Sequence, residues 1–275
     1  MNKFALCAFA DEAGDILVQQ IDALKANGIA KLEIRNVDGV NVSDFDVNKA
    51  KEVKKALDDN GISVFSIGSP IGKIGIEDDF EPHLEKFKHT LQIADILGAK
   101  AFRLFSFYID ADKNPQDFTD EVLERMSRFA EVPTDVTLCH ENEKGIFGDK
   151  PERCVMIHKA LPKIKAVFDP ANFVQCGVDT LSAFDMLSPY VQYMHIKDAV
   201  ASGNVVPAGR GDGNIAQILQ KYSGSVLTLE PHLFEFSGLA ALENDGEKSK
   251  IGGAYKNGRE AFDAGAAALK NIINK

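Results

Sequence analysis

Short apolar runs alternate along this chain with longer stretches whose apolar positions recur at helical intervals. Eight runs read as strands: Phe4–Phe9, Lys31–Arg35, Ser63–Ile67, Ala101–Phe105, Val136–Glu141, Ala166–Asp169, Val191–Ile196 and Ser225–Glu230. In the first intervening segment Ile16, Ile21, Leu24 and Ile29 recur at roughly helical spacing, with Gln19, Gln20, Asp22 and Lys25 as polar positions. The second, Val47–Asp59, carries Val53 and Leu57 one turn apart and stops before Asn60-Gly61, a helix-ending pair. A third helix, near residues 78–97, closes at Gly98, and a fourth, near 115–130, opens with a proline suited to a first turn. Later helices are expected at Pro151–Ala160, Leu181–Leu187, Ile215–Tyr222 and Arg259–Ile273.

Eight strand–helix pairs in 275 residues predict the α/β class and a parallel eight-stranded (β/α)8 barrel. No linker rich in proline, glycine or serine divides the chain, so residues 1–275 read as one domain. After the first strand comes Ala10-Asp11-Glu12-Ala13-Gly14, which is no glycine-rich phosphate cradle and gives a dinucleotide site no support. The connection 231–257 is long and lacks periodicity, and reads as a lid or a subunit contact.

In such a barrel chemistry sits where the strands end. The fifth strand closes on Glu141, the sixth on Asp169, the seventh carries His195 and the eighth closes on Glu230. Side chains alternate faces along a strand, so Glu141 shares a face with Thr137 and Cys139, Asp169 with Val167, His195 with Tyr193 and Glu230 with Thr228. The opposite faces hold Leu138, Phe168, Met194, Ile196, Leu227 and Leu229, an apolar set that belongs under the outer helices. Three carboxylates and an imidazole converging in a dry mouth require a cation. Mostly oxygen ligands with one nitrogen suit one divalent ion, Mn²⁺, Mg²⁺ or Co²⁺, with Zn²⁺ also compatible.

Charge and cysteine usage narrow the partners. Lys and Arg number 31 against 41 Asp and Glu, a net charge of −10, which argues against nucleic acid or an anionic membrane surface. A small anionic substrate is untouched by that argument, since a few local cations suffice. No stretch approaches a membrane span. Phe4–Ala10 superficially imitates a short signal peptide, but Asp11-Glu12 follow at once, and a buried first strand of a cytoplasmic protein is the expected reading. Cys7, Cys139, Cys154 and Cys176 are widely spaced and read as small buried hydrophobes.

These residues resemble the sugar phosphate isomerase/epimerase family, the xylose isomerase-like TIM barrels. The resemblance covers nearly the whole chain. It rests on Leu32-Glu33-Ile34-Arg35, Ala94-Asp95-Ile96-Leu97-Gly98-Ala99, Glu141-Asn142, Phe168-Asp169-Pro170-Ala171-Asn172, His195-Ile196-Lys197-Asp198 and Gly209-Arg210-Gly211-Asp212-Gly213, in that order. It implies a metal held by Glu141, Asp169, His195 and Glu230, and a sugar substrate chelated through its carbonyl and the adjacent hydroxyl. Glu141 and Glu230 would then be the catalytic pair, moving a proton through a metal-stabilised enediolate in an isomerisation or epimerisation. Family members are often dimers or tetramers, so a homo-oligomer is open. Asn172 stands where many relatives carry His; it can bond a sugar hydroxyl but cannot deliver a proton.

Further candidates surround that set. Arg35 shares a face with Glu33, and either pairs with it or contacts substrate; Arg103, in an apolar strand, is expected to face a buried carboxylate. Lys197 either touches substrate or forms a loop salt bridge. Arg210 and its glycine neighbours either cradle a phosphate or form a turn in which Asp212 or Asn214 caps the next helix. His232, two residues past Glu230, is placed for a substrate hydroxyl. His140 is expected to point away from Glu141, while His83, His89 and His158 read as surface residues. Two other functions fit the same pattern: a metal-dependent dehydratase of a keto-inositol or sugar acid, and a non-catalytic sugar-binding barrel. A DNA-repair endonuclease on this barrel would need a His-rich zinc cluster, which six histidines and a charge of −10 do not favour.

Overall fold

A computed structural model of the chain describes residues 3–237, 250–251 and 254–274. Eight parallel strands close into a barrel: β1 (Ala5–Ala8), β2 (Lys31–Ile34), β3 (Ser63–Ile67), β4 (Ala101–Leu104), β5 (Thr137–Glu141), β6 (Lys165–Phe168), β7 (Val191–Ile196) and β8 (Val226–Leu229), with β8 pairing back onto β1. Around them lie α1 (Leu17–Ala26), α2 (Val47–Asp59), α3 (Phe80–Leu97), α4 (Thr119–Glu131), α5 (Pro151–Ala160), α6 (Pro170–Gln175), α7 (Thr180–Leu187), α8 (Ile215–Lys221) and α9 (Gly258–Ile273). Helix ends follow local chemistry. Asp46 caps α2 by accepting from Lys49 N, and Gly98, left-handed at φ 72°, ends α3.

Alternation along the strands sorts the side chains as expected. Leu138, Phe168, Met194, Ile196, Leu227 and Leu229 join the core between barrel and helices. The barrel interior is filled by Ala101, Cys139, Val167 and Tyr193, with Phe65 and Val226 against them. This packed plug is why polar residues above it are held at the C-terminal mouth. The register slips between Leu32 and Glu33 and again between Ala166 and Val167. Both irregularities fall on strands that carry site residues.

Several local expectations are corrected. Gln20, read as a polar surface position, is buried and donates to Asn36 O at 3.0 Å, while Ile16 precedes α1 and is exposed. The fourth helical segment starts as a 3-10 turn, Pro115–Phe118, before α4. Helix α6 was not anticipated; it is short and begins directly on the Asp169-Pro170 step. His158 is buried, its Nδ1 3.1 Å from Ile164 O and its ring stacked on Tyr190, because its face of α5 packs toward the barrel. His83 and His89 are half-buried and bonded to the main chain at Gly72 N and Phe45 O. Of the long connection, Lys250–Ile251 pairs with the strand Asn204–Val206, and the lid reading otherwise falls largely on residues 238–249 and 252–253, outside the described residues. Cys7, Cys139 and Cys154 are buried and Cys176 half-buried. Among the described residues no helix is long and apolar enough to cross a membrane.

The segment after β3 runs against the segment after β4, with Phe105 N donating to Ile71 O at 2.8 Å and Phe107 N to Gly72 O at 2.9 Å. Gly72 makes this approach feasible: it is left-handed at φ 93°, and a Cβ there would lie 2.0 Å from Phe105 O. Gly72→Ala is expected to lower unfolding stability by about 2–3 kcal/mol, combining steric overlap with an unfavourable backbone conformation. Denaturant midpoints of the two proteins test it; equal midpoints would show that the segment relaxes without cost.

Candidate metal centre

The four strand-end side chains meet. One ligand atom from each of Glu141, Asp169, His195 and Glu230 lies within 4.8 Å of all the others, and all four residues are buried. Each is set by its strand and held by a neighbour. Asp169 closes β6 and caps α6, spending Oδ1 on Asn172 N at 3.0 Å and leaving Oδ2 to the cluster; Pro170 occupies the first helical position. Asn142 then clips this corner to β5, its Oδ1 accepting from Asp169 N at 2.9 Å and its Nδ2 donating to Asp169 O at 2.8 Å.

His195 is bracketed on both ring nitrogens. Nδ1 lies 2.8 Å from Glu141 Oε1 and 3.3 Å from Glu230 Oε2, while Nε2 lies 3.2 Å from Glu33 Oε2. Glu33 is itself fixed by Tyr193 Oη at 2.8 Å and Ser66 Oγ at 3.2 Å. A carboxylate on one imidazole nitrogen turns the other toward a metal position. Of the two readings for Arg35, the pair with Glu33 is therefore not formed. Arg35 instead spans Asp11 (2.8 Å), Glu12 (3.3 Å) and Glu230 Oε1 (3.0 Å), sandwiched between the rings of Phe9 and Phe236. Strand position places both side chains inside the barrel, but their partners come from other strands and from the turn after β1.

The remaining candidates divide. Arg103 reaches Glu141 Oε2 at 3.1 Å, the buried carboxylate expected of it. Lys197 is buried with Nζ 3.1 Å from Asp169 Oδ2 and 3.6 Å from Glu230 Oε2. Asn172 donates to Asn142 O at 2.9 Å and approaches Glu141 Oε1 at 3.5 Å. His232 is buried with Nε2 3.4 Å from Glu12 and 3.5 Å from Glu230, and both ring nitrogens lack a hydrogen bond. His140 points away, onto Ser106. Arg210 is exposed and is not brought into the cluster. The phosphate-cradle alternative is overturned, because Gly209, Gly211 and Gly213 aim their N–H groups at the Asp198 carboxylate, at 2.8, 3.0 and 3.0 Å. Nor does Asn214 cap α8 with its side chain; it donates to Thr180 Oγ1. Sequence reasoning passed over Asp11, Glu12, Asn142 and the Glu33–His195 link. Extending strand-end parity to the first two strands would have flagged the acids.

Charge counting shows what the mouth lacks. Asp11, Glu12, Glu33, Glu141, Asp169 and Glu230 are all buried, against the fixed cations Arg35, Arg103 and Lys197. Burial, opposed by Arg35, pushes the Glu12 carboxyl up to about 8, so it is protonated at neutral pH. Carboxylates therefore outnumber the fixed cations in the mouth, an excess that favours a further cation. Asp169 Oδ2 and Glu230 Oε2 are buried without an aligned hydrogen-bond donor, as open ligand atoms would be. Three oxygens and one nitrogen at this spacing fit a divalent metal.

Fold and cluster together define a class: a (β/α)8 barrel with a candidate metal centre in its mouth. The chain belongs to the xylose isomerase-like TIM barrel family, whose model matches residues 21–249. Among solved structures it is similar to D-psicose 3-epimerase from Clostridium cellulolyticum H10, crystallised with D-tagatose, at 17% identity and TM-score 0.73 over 100% of this chain and 99% of that one. It is similar to the probable 3-DHS dehydratase AsbF from Bacillus anthracis at 18% identity and TM-score 0.71, over 98% and 99%. The IOLI protein, solved with a bound zinc atom, is similar at 14% identity and TM-score 0.74, over 100% and 98%. No curated protein matches the sequence.

Without a metal the cluster must hold protons in its place. Burial and the nearby Glu141 and Glu230 raise Asp169 to about 7, against Lys197. His195 is raised well above its usual value because Glu141, Glu33 and Glu230 outweigh the effect of burial. Groups raised by folding give stability that is lost as pH climbs through their folded values. The histidines His83, His140, His158 and His232 are lowered, so their effect runs the other way, but it fades above their ordinary value of 6.5. Metal-free protein is therefore expected to lose stability between pH 6.5 and about 8, and a saturating divalent ion to restore it. Melting curves with chelator and with Mn²⁺ or Mg²⁺ across this range provide the check; parallel curves would contradict it.

Proposed function

We propose that this protein is a metal-dependent isomerase or epimerase of a sugar or sugar phosphate, acting by proton transfer at the carbon beside a carbonyl. The observation that carries the reading is the pairing of Glu141 and Glu230 about one point, His195 Nδ1, at 2.8 and 3.3 Å. A divalent ion held by Glu141, Asp169, His195 and Glu230 would supply Lewis acidity toward a carbonyl oxygen. Glu141 and Glu230, arriving from strands on either side of β6 and β7, are placed to take a proton from one carbon and return it to the same or the neighbouring one. Return to the same carbon on its opposite face gives an epimer, and return to the neighbour gives an isomer.

Other side chains prepare these two. Arg103 engages Glu141 Oε2 and Arg35 engages Glu230 Oε1, which leaves the remaining oxygen of each directed at the cluster. Lys197 and His195 outweigh burial to hold Glu230 well below the usual carboxylate range, so it enters the cycle ionised. His232 is kept neutral, lowered to about 4 by burial and by Lys197, and its unpartnered ring nitrogens suit a sugar hydroxyl. Asn172 and Lys197 line the same space and are proposed to contact substrate. Arg35 acts through Glu230.

The same proton removal followed by loss of a neighbouring hydroxyl would be a dehydration, the activity named for the Bacillus anthracis neighbour. One assay separates the readings. A panel of free and phosphorylated ketoses is incubated with the Mn²⁺-loaded protein in D₂O. Deuterium at the carbon beside the carbonyl, with sugar as product, is expected; a dehydrated product reassigns the protein as a lyase. Glu230→Gln is expected to reduce kcat by about 10²–10⁴-fold while Mn²⁺ binding survives. Undiminished turnover in that variant removes Glu230 from the chemistry.

A further inference from the structure

Two cavities open among the loops that follow the barrel strands, one lined by acids and the other by lysines. One, of about 520 Å³, lies against the loops after β1 and β8 and is lined by Asp11, Glu12, Asp15 and Glu235. The other, of about 550 Å³, is walled by the segments after β4, β5, β6 and β7 and is lined by Lys113, Lys144, Lys150 and Lys250 with Asp110 and Asp149. Both acids of the second cavity are already engaged: Asp110 lies 3.3 Å from Lys113, and Asp149 pairs with Arg153. Lys150 Nζ donates to Cys176 O at 2.6 Å and Lys250 Nζ to Ser202 O at 3.2 Å, acceptors without formal charge. Two ammonium groups thus line the cavity with no carboxylate within ion-pair distance among the described residues. Such a concentration of positive charge in a chain of net charge −10 is a local field for a small anion.

The cavity is also within reach of the chemistry. Lys144 follows Glu141 by three residues, and Gln175, in its wall, lies at the far end of the helix that Asp169 starts. At ~3.5 Å per extended residue and ~1.5 Å per helical residue, no more than about 10 Å of chain separates these wall residues from Glu141 and Asp169. That is the span of an extended sugar chain with a charged terminus.

We infer that the lysine-lined cavity holds the anionic end of the substrate, a phosphate monoester or carboxylate terminating a polyhydroxy chain whose carbonyl end lies at Glu141 and Glu230. In the cavity on the β1 and β8 side Asp11 and Glu12 are engaged by Arg35, but Asp15 and Glu235 have no cation within ion-pair distance among the described residues and disfavour the same group there, which orients the substrate across the mouth. The carbonyl end of this inference rests on the proposed proton-transfer activity; the anion site does not.

The test uses Lys150→Gln combined with Lys250→Gln, which removes two charges and keeps a donor for each main-chain oxygen. Inorganic phosphate and acetate are titrated into metal-free protein by calorimetry. Binding that weakens about tenfold or more in the double variant, yet persists in Glu230→Gln, places the anion in this cavity. The tighter of the two ions identifies phosphate or carboxylate as the terminus. Next, a free ketohexose and its 6-phosphate are compared on the Mn²⁺-loaded protein. If phosphate is the tighter ion, the 6-phosphate should bind at least about tenfold more tightly, a preference that collapses in the double variant while the neutral sugar is unaffected. For a carboxylate terminus, the corresponding sugar acid replaces the 6-phosphate. No anion binding by the parent protein, or equal binding by the double variant, overturns the inference. Anion preference without deuterium exchange would leave the cavity standing and defeat the proton-transfer reading, whereas exchange on neutral sugars with no anion preference would do the reverse.

Discussion

Six buried carboxylates share the mouth of this barrel with three fixed cations, Arg35, Arg103 and Lys197, and that imbalance governs the arrangement of nearly everything around them. Two like charges 4 Å apart repel by about 4 kcal/mol at the effective dielectric of a partly buried site. No single side chain could cover the excess. The fold therefore distributes compensation: Arg35 bridges Asp11, Glu12 and Glu230, Arg103 takes Glu141, and Lys197 takes Asp169. Burial pushes the Glu12 carboxyl up to about 8, which lessens the excess, and what remains favours a further cation. Lys73 and Glu143, half-buried and 3.1 Å apart, pair with each other and leave that excess unchanged.

Position is controlled as tightly as charge. Glu33 sets the imidazole of His195, Tyr193 and Ser66 set Glu33, and the Asn142 amide ties the end of β5 to the end of β6. These supports lie in the barrel interior or at its strand ends, on elements that the packed layer beneath them keeps still. Phe9 adds an apolar face: its ring lies 5.2 Å from that of His195 and beneath both Arg35 and Arg103. A guanidinium resting on an aromatic face keeps its edges free for carboxylates, which is how two arginines fit inside a barrel.

Legibility in the sequence followed the range of the interaction. Strand and helix positions depend on local periodicity, and Val47–Asp59 and Pro151–Ala160 are found where the pattern puts them. The convergence of Glu141, Asp169, His195 and Glu230 was legible too, because parity along parallel strands fixes both face and height. Pairing across the barrel was not. Glu33 and Arg35 stand two residues apart, yet their partners Tyr193, His195 and Glu230 come from strands more than 150 residues away. The glycine run at 209–213 misled for a related reason: its free N–H groups suit an anion, and the anion is the protein's own Asp198. His158 was misplaced because a single histidine on a helix does not reveal which helical face packs inward.

Asn172 bears on how the proposed chemistry would handle protons. Its amide can bond a hydroxyl but has no proton to exchange at neutral pH, and it is committed to Asn142 O. Lys197 is raised above its usual range, chiefly by Asp169 and Glu230 against the pull of burial, so it stays charged and has no free base to offer. His232 is lowered to about 4 and stays neutral. Among the groups around the cluster this leaves the carboxylates as the groups suited to proton transfer. Asp169 spends one oxygen on the α6 cap, which ties it to the helix, whereas Glu141 and Glu230 are held by arginines through one oxygen with the other turned to His195. In the proposed reaction the division of labour would follow from that geometry: Asp169 would serve as the fixed ligand, and the two glutamates would keep the freedom that proton exchange with a substrate carbon requires.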